Sequence, residues 1–357
     1  MTGSVVWVDE VDPAVAVDVA GAKMGRLAEL HRCGVMVPPG FAVTVAAYRE
    51  HCAASGLDTA IDEVIASLGA GPEPSAVDGA AQRIRSLFGE TDVGQGLAAR
   101  IRDAYDELCL RCVEVNVPTA VRSSATGEDS GDASFAGIFD TYLGVSGPER
   151  VLDAVRSCWA SLFTGRALAY RLRRGISHHD MPIAVGVIEL IHARASGVAF
   201  SVHPVTGKRD RLVIEGSWGW GEAVVQGLVT PDHVEIGKAD GRVLGYDVAD
   251  KKVVSAFDYA AGRVVEIDMP PRLAQRRVLD DEQVAAVVSA VIAIERHYGY
   301  PVDVEWVISR HRRAGDPICV VQSRPVTAAG SEEPIPGGWD PAAMAAKYAF
   351  SSKRRRG

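Results

Sequence analysis

The 357-residue chain is 47% hydrophobic and 24% charged, the composition of a folded globular protein rather than a disordered one. Its 38 Lys and Arg against 46 Asp and Glu leave a formal net charge of −8, which argues against a groove that grips nucleic acid but leaves room for a local cationic pocket around a small anion. The length points to two domains or subdomains, no stretch reaches the ~18 apolar residues of a membrane span, and MTGSVVWVDEVDP has neither the basic start nor the apolar middle of a secretion signal.

Along the chain, AGAKMGRLAELHRCG reads as helix. Gly34 and the run Pro38-Pro39-Gly40 break it and start an extended segment. Residues 57–116 are Ala-rich and helical in pattern, interrupted by GAGPEPS. Cys109 and Cys112 form a CxxC there, with no second pair or matching histidines to complete a metal site, so they read as two thiols on a helix. The six cysteines are scattered, as expected of a chain in a reducing cytoplasm. PTAVRSS reads as a strand, followed by the polar, small-residued loop ATGEDSGDASFAG.

Residues 148–174 read as one amphipathic helix, with Val151, Val155, Trp159 and Leu162 at helical spacing. MPIAVGVIELIHARASGVAFSV reads as two buried strands joined by a turn, VIEGSWGWGEAVV as a strand entering a Gly-rich turn, and residues 231–268 as β-hairpins. Asp280 is placed to cap the next helix with Gln283 as its capping-box partner, and Val284, Val287, Val288, Val291 and Ile292 form its apolar stripe until Gly299 ends it. From about residue 330 the chain turns polar and Pro/Gly-rich, and residues 330–357 read as linker or tail.

The two strands VDVEWVIS and ICVVQSRPV carry the most chemistry. Alternation places Val302, Val304, Trp306 and Ile308 on one face and Asp303, Glu305 and Val307 on the other. In the second strand it groups Val320, Gln322 and Arg324. If the strands pair, Glu305, Gln322 and Arg324 line one surface: hard oxygen ligands suited to Mg²⁺ beside a guanidinium that forks onto phosphate. A half-buried hairpin with a wet outer face is the alternative reading of the same pattern.

Seven segments, GAKMGRLAEL, VPPGFAVT, VRSSATGEDSGDASFAG, SGVAFSVHPVTG, SWGWGEAVVQGLVTPD, DVEWVI and VVQSRPVT, occur in an order that resembles the nucleotide-binding part of phosphoenolpyruvate synthase and pyruvate phosphate dikinase, which rifamycin phosphotransferases share. The resemblance covers roughly residues 15–327. It implies an α+β, ATP-grasp fold with a nucleotide cleft between two subdomains, divided here as residues 1–200 and 201–329. ATP and Mg²⁺ are the implied cofactors.

By the same resemblance, Ser134, Ala136 and Gly137 belong to a loop that covers the ATP phosphates, where small residues let backbone N–H groups approach an anion. Lys23, Arg122 and Arg324 match phosphate-binding cations, and Glu305 with Gln322 matches the metal pair. Asp303 supports that pair, and Thr141 matches a threonine near the phosphates. Glu189, Leu190 and Ile191 fall on the segment that reads adenine, where Ile188 stands in place of the usual Gln. Gly21-Ala22-Lys23 replaces Gly-Gly-Lys, and Ile138-Phe139 departs from the usual loop ending.

Family members continue into a domain with a phosphorylatable histidine and often a pyruvate-binding barrel, and no such segment is seen here. His178 and His179, in ISHHDMP, lack that setting and read as loop residues. The expectation is an ATP-binding catalytic subunit of a split dikinase, similar to phenylphosphate synthase and cresol-phosphorylating enzymes. It would transfer the ATP β-phosphate to a histidine on a separate subunit, for phosphorylation of a small hydroxyl compound such as a phenol, cresol or benzylic alcohol. Two alternatives stand beside it: the ATP-binding part of a pyruvate- or rifamycin-directed phosphotransferase, and a non-catalytic nucleotide sensor.

Overall fold

A computed structural model of the chain describes residues 3–126, 129–130, 133–134, 139–221, 224, 227–258 and 261–326. The chain divides into two compact units, residues 1–29 with 39–190 and residues 30–38 with 191–357. The break thus falls at Leu190/Ile191 rather than near residue 200, because residues 193–200 are a strand of the second unit's sheet. Residues 30–38 also belong to the second unit, where the Val320 N–H donates to the Met36 carbonyl at 2.8 Å. The segment expected to be a tail lies outside the described residues.

The first unit is built on a five-stranded antiparallel sheet: β1 (Val5–Trp7), β2 (Gly40–Val43), β3 (Thr119–Ala125), β6 (Thr141–Val145) and β7 (Ile183–Glu189), in the spatial order β1-β2-β7-β3-β6. A two-residue pair, β4 (Asp129–Ser130) with β5 (Ala133–Ser134), stands apart from it. Helices α2 (Val45–Ser55), α3 (Leu57–Ala66), α4 (Pro74–Glu90), α5 (Gln95–Cys112), α6 (Pro148–Ala160) and α7 (Gly165–Arg174) supply the core with residues such as Tyr48, Phe88, Tyr105 and Trp159, and the turn between α6 and α7 adds Phe163, all in one cluster with Phe41, Val121 and Val185 of the sheet. Losing one such ring costs about 3–5 kcal/mol.

The single helix expected over 148–174 is two helices. A short 3₁₀ turn at Ser161–Phe163 ends α6, and Thr164 starts α7 by accepting the Ala167 N–H on its side-chain oxygen. That local hydrogen bond offers the backbone a new helix start, and it overrides a continuous apolar stripe.

In the second unit, β8 (Ala193–Phe200), β9 (Arg211–Trp218), β10 (Asp232–Gly237), β11 (Val243–Asp247), β14 (Val302–Ser309) and β15 (Cys319–Pro325) form a six-stranded antiparallel sheet in the order β11-β10-β9-β8-β14-β15. β12 (Val253–Asp258) and β13 (Arg263–Asp268) form a separate hairpin. A one-turn helix, α8 (Pro271–Ala274), precedes α9 (Asp281–Tyr298). The capping box on Asp280 and Gln283 is present, and Gly299 closes α9 in the left-handed conformation. Val284, Val287, Val288, Val291 and Ile294 are its buried apolar residues, so Ile294 holds the inward position expected of Ile292.

The two buried strands expected between 181 and 202 exist, but they do not pair. β7 lies in the first sheet and β8 in the second. Among the described residues, no helix is long and apolar enough to cross a membrane.

Candidate functional site

In the first unit, the predicted cations converge on β3. Helix α1 (Pro13–Arg32) is two helical runs meeting at Gly21, whose φ of 75° and ψ of 171° lie in a region that essentially only glycine occupies. Gly21 sits so close to β3 that an added Cβ would stand 1.8 Å from the Ser124 carbonyl oxygen. The second run begins against the strand, with the Met24 N–H donating to Ser124 Oγ at 3.2 Å and Lys23 Nζ donating to the Ser123 carbonyl at 3.0 Å. Arg122 precedes that carbonyl by one residue and is paired across the sheet with Thr141 on one side and Gly186 on the other. Residues directly opposite each other share a face. Arg122 and Thr141 therefore project together, and Thr141 is exposed.

Ser134 lies on β5, paired with Asp129. Ala136 and Gly137, with the departures at Ile138, lie outside the described residues. Glu189 ends β7, where Cys112 Sγ donates to its carboxylate at 3.8 Å. Burial raises the pKa of Glu189, with Glu114 adding to the effect. The Glu189 N–H donates to the Pro39 carbonyl and the Leu190 N–H to the Pro118 carbonyl. These two donors are thus engaged within the fold. The Ile191 carbonyl accepts the Trp220 indole N–H at 2.9 Å.

In the second unit, the pairing of β14 with β15 sets Glu305 opposite Gln322 and Asp303 opposite Arg324. Arg324 Nε donates to Asp303 Oδ2 at 2.8 Å. Asp303 is buried, its Oδ1 makes no hydrogen bond, and burial raises its pKa against the lowering influence of Arg324. The alternation expected along 302–308 holds: Val302, Val304 and Trp306 are fully buried, whereas Glu305 is partly exposed. The grouping of Val320 with Gln322 does not hold. The register shifts between Glu305 and Trp306, so Gln322 opposes Glu305 while Val320 opposes Trp306 on the apolar face.

The polar face extends farther than the sequence suggested. Glu305 pairs with Val198, Val198 with Glu215, and Glu215 with His233, so the row crosses four strands beyond Gln322. Glu215 is 8% exposed and its Oε1 makes no hydrogen bond. His233 Nδ1 lies 3.7 Å from Glu215 Oε1, and its Nε2 lies 3.8 Å from Glu235 Oε1. The signal was present in VIEGSW and DHVEIG, where polar and apolar residues alternate. On the opposite face Trp306 covers Gly197 and Gly216, where a Cβ on Gly197 would fall 2.8 Å from its ring.

The arrangement supplies two kinds of chemistry. The first unit presents an ammonium and a guanidinium at one strand, suited to phosphate oxygens. The second presents a carboxylate opposite an amide, with carboxylate oxygens on the same face that lack hydrogen-bond partners, a hard oxygen set that fits Mg²⁺.

The chain matches the family described as pyruvate phosphate dikinase, AMP/ATP-binding domain, over residues 17–336. It is 42% identical over 314 residues to a protein of Methanothermobacter thermautotrophicus named probable phosphoenolpyruvate synthase, a match covering 88% of this chain and 45% of that one. A protein of Methanocaldococcus jannaschii with the same name is 37% identical over 323 residues, covering 90% of this chain and 26% of the relative. The phosphoenolpyruvate synthase of Aeropyrum pernix is 35% identical over 347 residues, covering 90% and 42%. This chain therefore spans less than half the length of these relatives.

Proposed function

On the premise that this chain belongs to the pyruvate phosphate dikinase AMP/ATP-binding domain family, we propose that it is the ATP-grasp catalytic part of a dikinase that moves the β-phosphoryl group of ATP onto a histidine while water takes the γ-phosphoryl group, so that AMP and phosphate are released. The observation that carries the reading is the cross-strand register of Glu305 with Gln322 and Asp303 with Arg324, in a chain whose Lys23 and Arg122 also meet at one strand. Dikinase chemistry needs both sets: cations for the triphosphate and oxygen ligands for its metal.

Lys23 and Arg122 bind phosphate oxygens and hold the chain of phosphates in line. Arg324 adds charge, and its pairing with buried Asp303 fixes the guanidinium in one orientation. Glu305 and Gln322 hold Mg²⁺, which offsets charge on the transferring phosphoryl group when bound. Ser134, Ala136 and Gly137 cover the phosphates and Thr141 lies near them, shielding the transfer to histidine from bulk water. The backbone of 189–191 reads adenine.

The acceptor histidine is assigned to a separate subunit, and the final acceptor to a small hydroxyl compound such as a phenol, cresol or benzylic alcohol. The names of the relatives favour a second reading, in which pyruvate takes the phosphate. One experiment addresses both. ATP labelled at the β or the γ phosphate is mixed with the chain, Mg²⁺ and an extract of its native cells, with pyruvate or a phenol added in parallel. The reading expects β-label alone, acid-labile, on a second polypeptide, chased by one of the two acceptors. Label on this chain itself would remove the separate subunit, and ATP binding without AMP formation would favour a nucleotide sensor. Arg122→Ala and Glu305→Ala should abolish AMP formation in folded protein, and normal AMP formation in either would overturn the assignment.

A further inference from the structure

Away from the proposed nucleotide machinery, two adjacent histidines meet an aspartate. Asp62 stands on α3, and His178 and His179 occupy a 3₁₀ turn, His178–Asp180, between α7 and β7. Ser177 Oγ accepts the His179 N–H and starts that turn. One ligand atom from each of the three residues lies within 4.8 Å of the others. His179 Nε2 is 3.3 Å from Asp62 Oδ1, and His178 Nε2 is 3.5 Å from the same oxygen.

Three features point to a ligand rather than to an ion pair alone. The His178 side chain is more than nine-tenths buried, with its ring edge-on to Phe163, yet its Nε2 makes no hydrogen bond. The two distances to Asp62 Oδ1 match the geometry of a bound ion: ligand arms of about 2.0–2.1 Å in a tetrahedron give edges of about 3.3 Å. Asp62 and His179 are each about half exposed, which leaves room for water as the fourth ligand.

We propose that Asp62, His178 and His179 form a site for a divalent transition-metal ion of the Zn²⁺ class. Two imidazoles with one carboxylate favour such an ion over Mg²⁺, which prefers an all-oxygen shell. The ion would tie α3 to the turn that feeds β7, the strand that ends at Glu189. The site shares no residue with the proposed ATP chemistry, so either can fail without the other.

The test uses untagged full-length chain titrated with Co²⁺ and followed by its visible d–d absorption, with Zn²⁺ in competition and melting temperature as a second readout. One Co²⁺ per chain with a tetrahedral spectrum is expected, displaced by Zn²⁺, together with a Zn²⁺-dependent rise in Tm. His179→Ala and Asp62→Asn, both at exposed positions, should each weaken binding at least tenfold and remove the Tm rise while keeping the circular dichroism of the parent. Absence of stoichiometric binding, or binding of equal strength in both variants, would show that the cluster is only a His–Asp ion pair.

Discussion

Gly21 and Ser124 stand in direct contact across the first unit, with no space for a side chain between them: a Cβ at Gly21 would lie 1.8 Å from the Ser124 carbonyl oxygen and 2.5 Å from its hydroxyl. The contact brings the second run of α1 onto β3 and delivers Lys23 to the Ser123 carbonyl.

Gly21→Ala should therefore damage stability and function together. The backbone conformation alone costs about 1–3 kcal/mol for a residue with a Cβ, and the clash forces α1 off the strand. A lowered Tm and ATP affinity reduced at least tenfold are expected. Unchanged ATP affinity in the variant would separate Lys23 from nucleotide binding.

Arg324→Ala should leave buried Asp303 without the guanidinium that donates to its Oδ2. Breaking a fully buried pair costs about 3–5 kcal/mol. The Arg324 side chain is 21% exposed, so a loss toward the lower end is expected from chemical denaturation. Adding Asp303→Asn should recover part of it, and a double-mutant cycle with no coupling would contradict the pairing.

Glu305→Gln keeps the shape of the side chain and removes its charge. The Mg²⁺ concentration for half-maximal AMP formation should rise at least tenfold, equivalent to ~1.4 kcal/mol, with the fold unaltered. An unshifted Mg²⁺ dependence would move the metal away from the Glu305–Gln322 register pair.

Glu282, in the first turn of α9, accepts hydrogen bonds from Arg312 and from the Gly315 N–H. Arg312 and then Gly315 hold its pKa down at about 2, below the ordinary 4.5. A depressed carboxylate stabilises the fold above its unfolded value and loses that contribution as pH falls through the folded value. The wild type should thus lose stability relative to Glu282→Gln as pH drops from about 4.5 to 2, and the difference should be constant above that window. Parallel pH profiles for the two proteins would refute it.

Much of the site was legible because its chemistry follows local rules. Strand alternation alone put Asp303 and Glu305 on the face opposite Val304 and Trp306, and Asp280 with Gln283 announced the start of α9. Where a local hydrogen bond competed with the apolar stripe, as at Thr164, periodicity misled. Glu215 and His233 were passed over because each looks like an ordinary polar strand residue until its neighbours are known.

Sequence by itself determined the family, through the order of its motifs, and the residue types that bear charge or ligand oxygens. It also determined the start and end of α9, since the Asp280 cap and Gly299 act over four or five residues. Only tertiary structure decided that β7 and β8, three residues apart, belong to different sheets, that a register shift turns Val320 away from Gln322, and that Asp62 meets His178 and His179 from more than a hundred positions away. The physical reason is that strand partners and cross-chain clusters are selected by burial and hydrogen bonding between distant segments, and no local pattern records which distant segment wins.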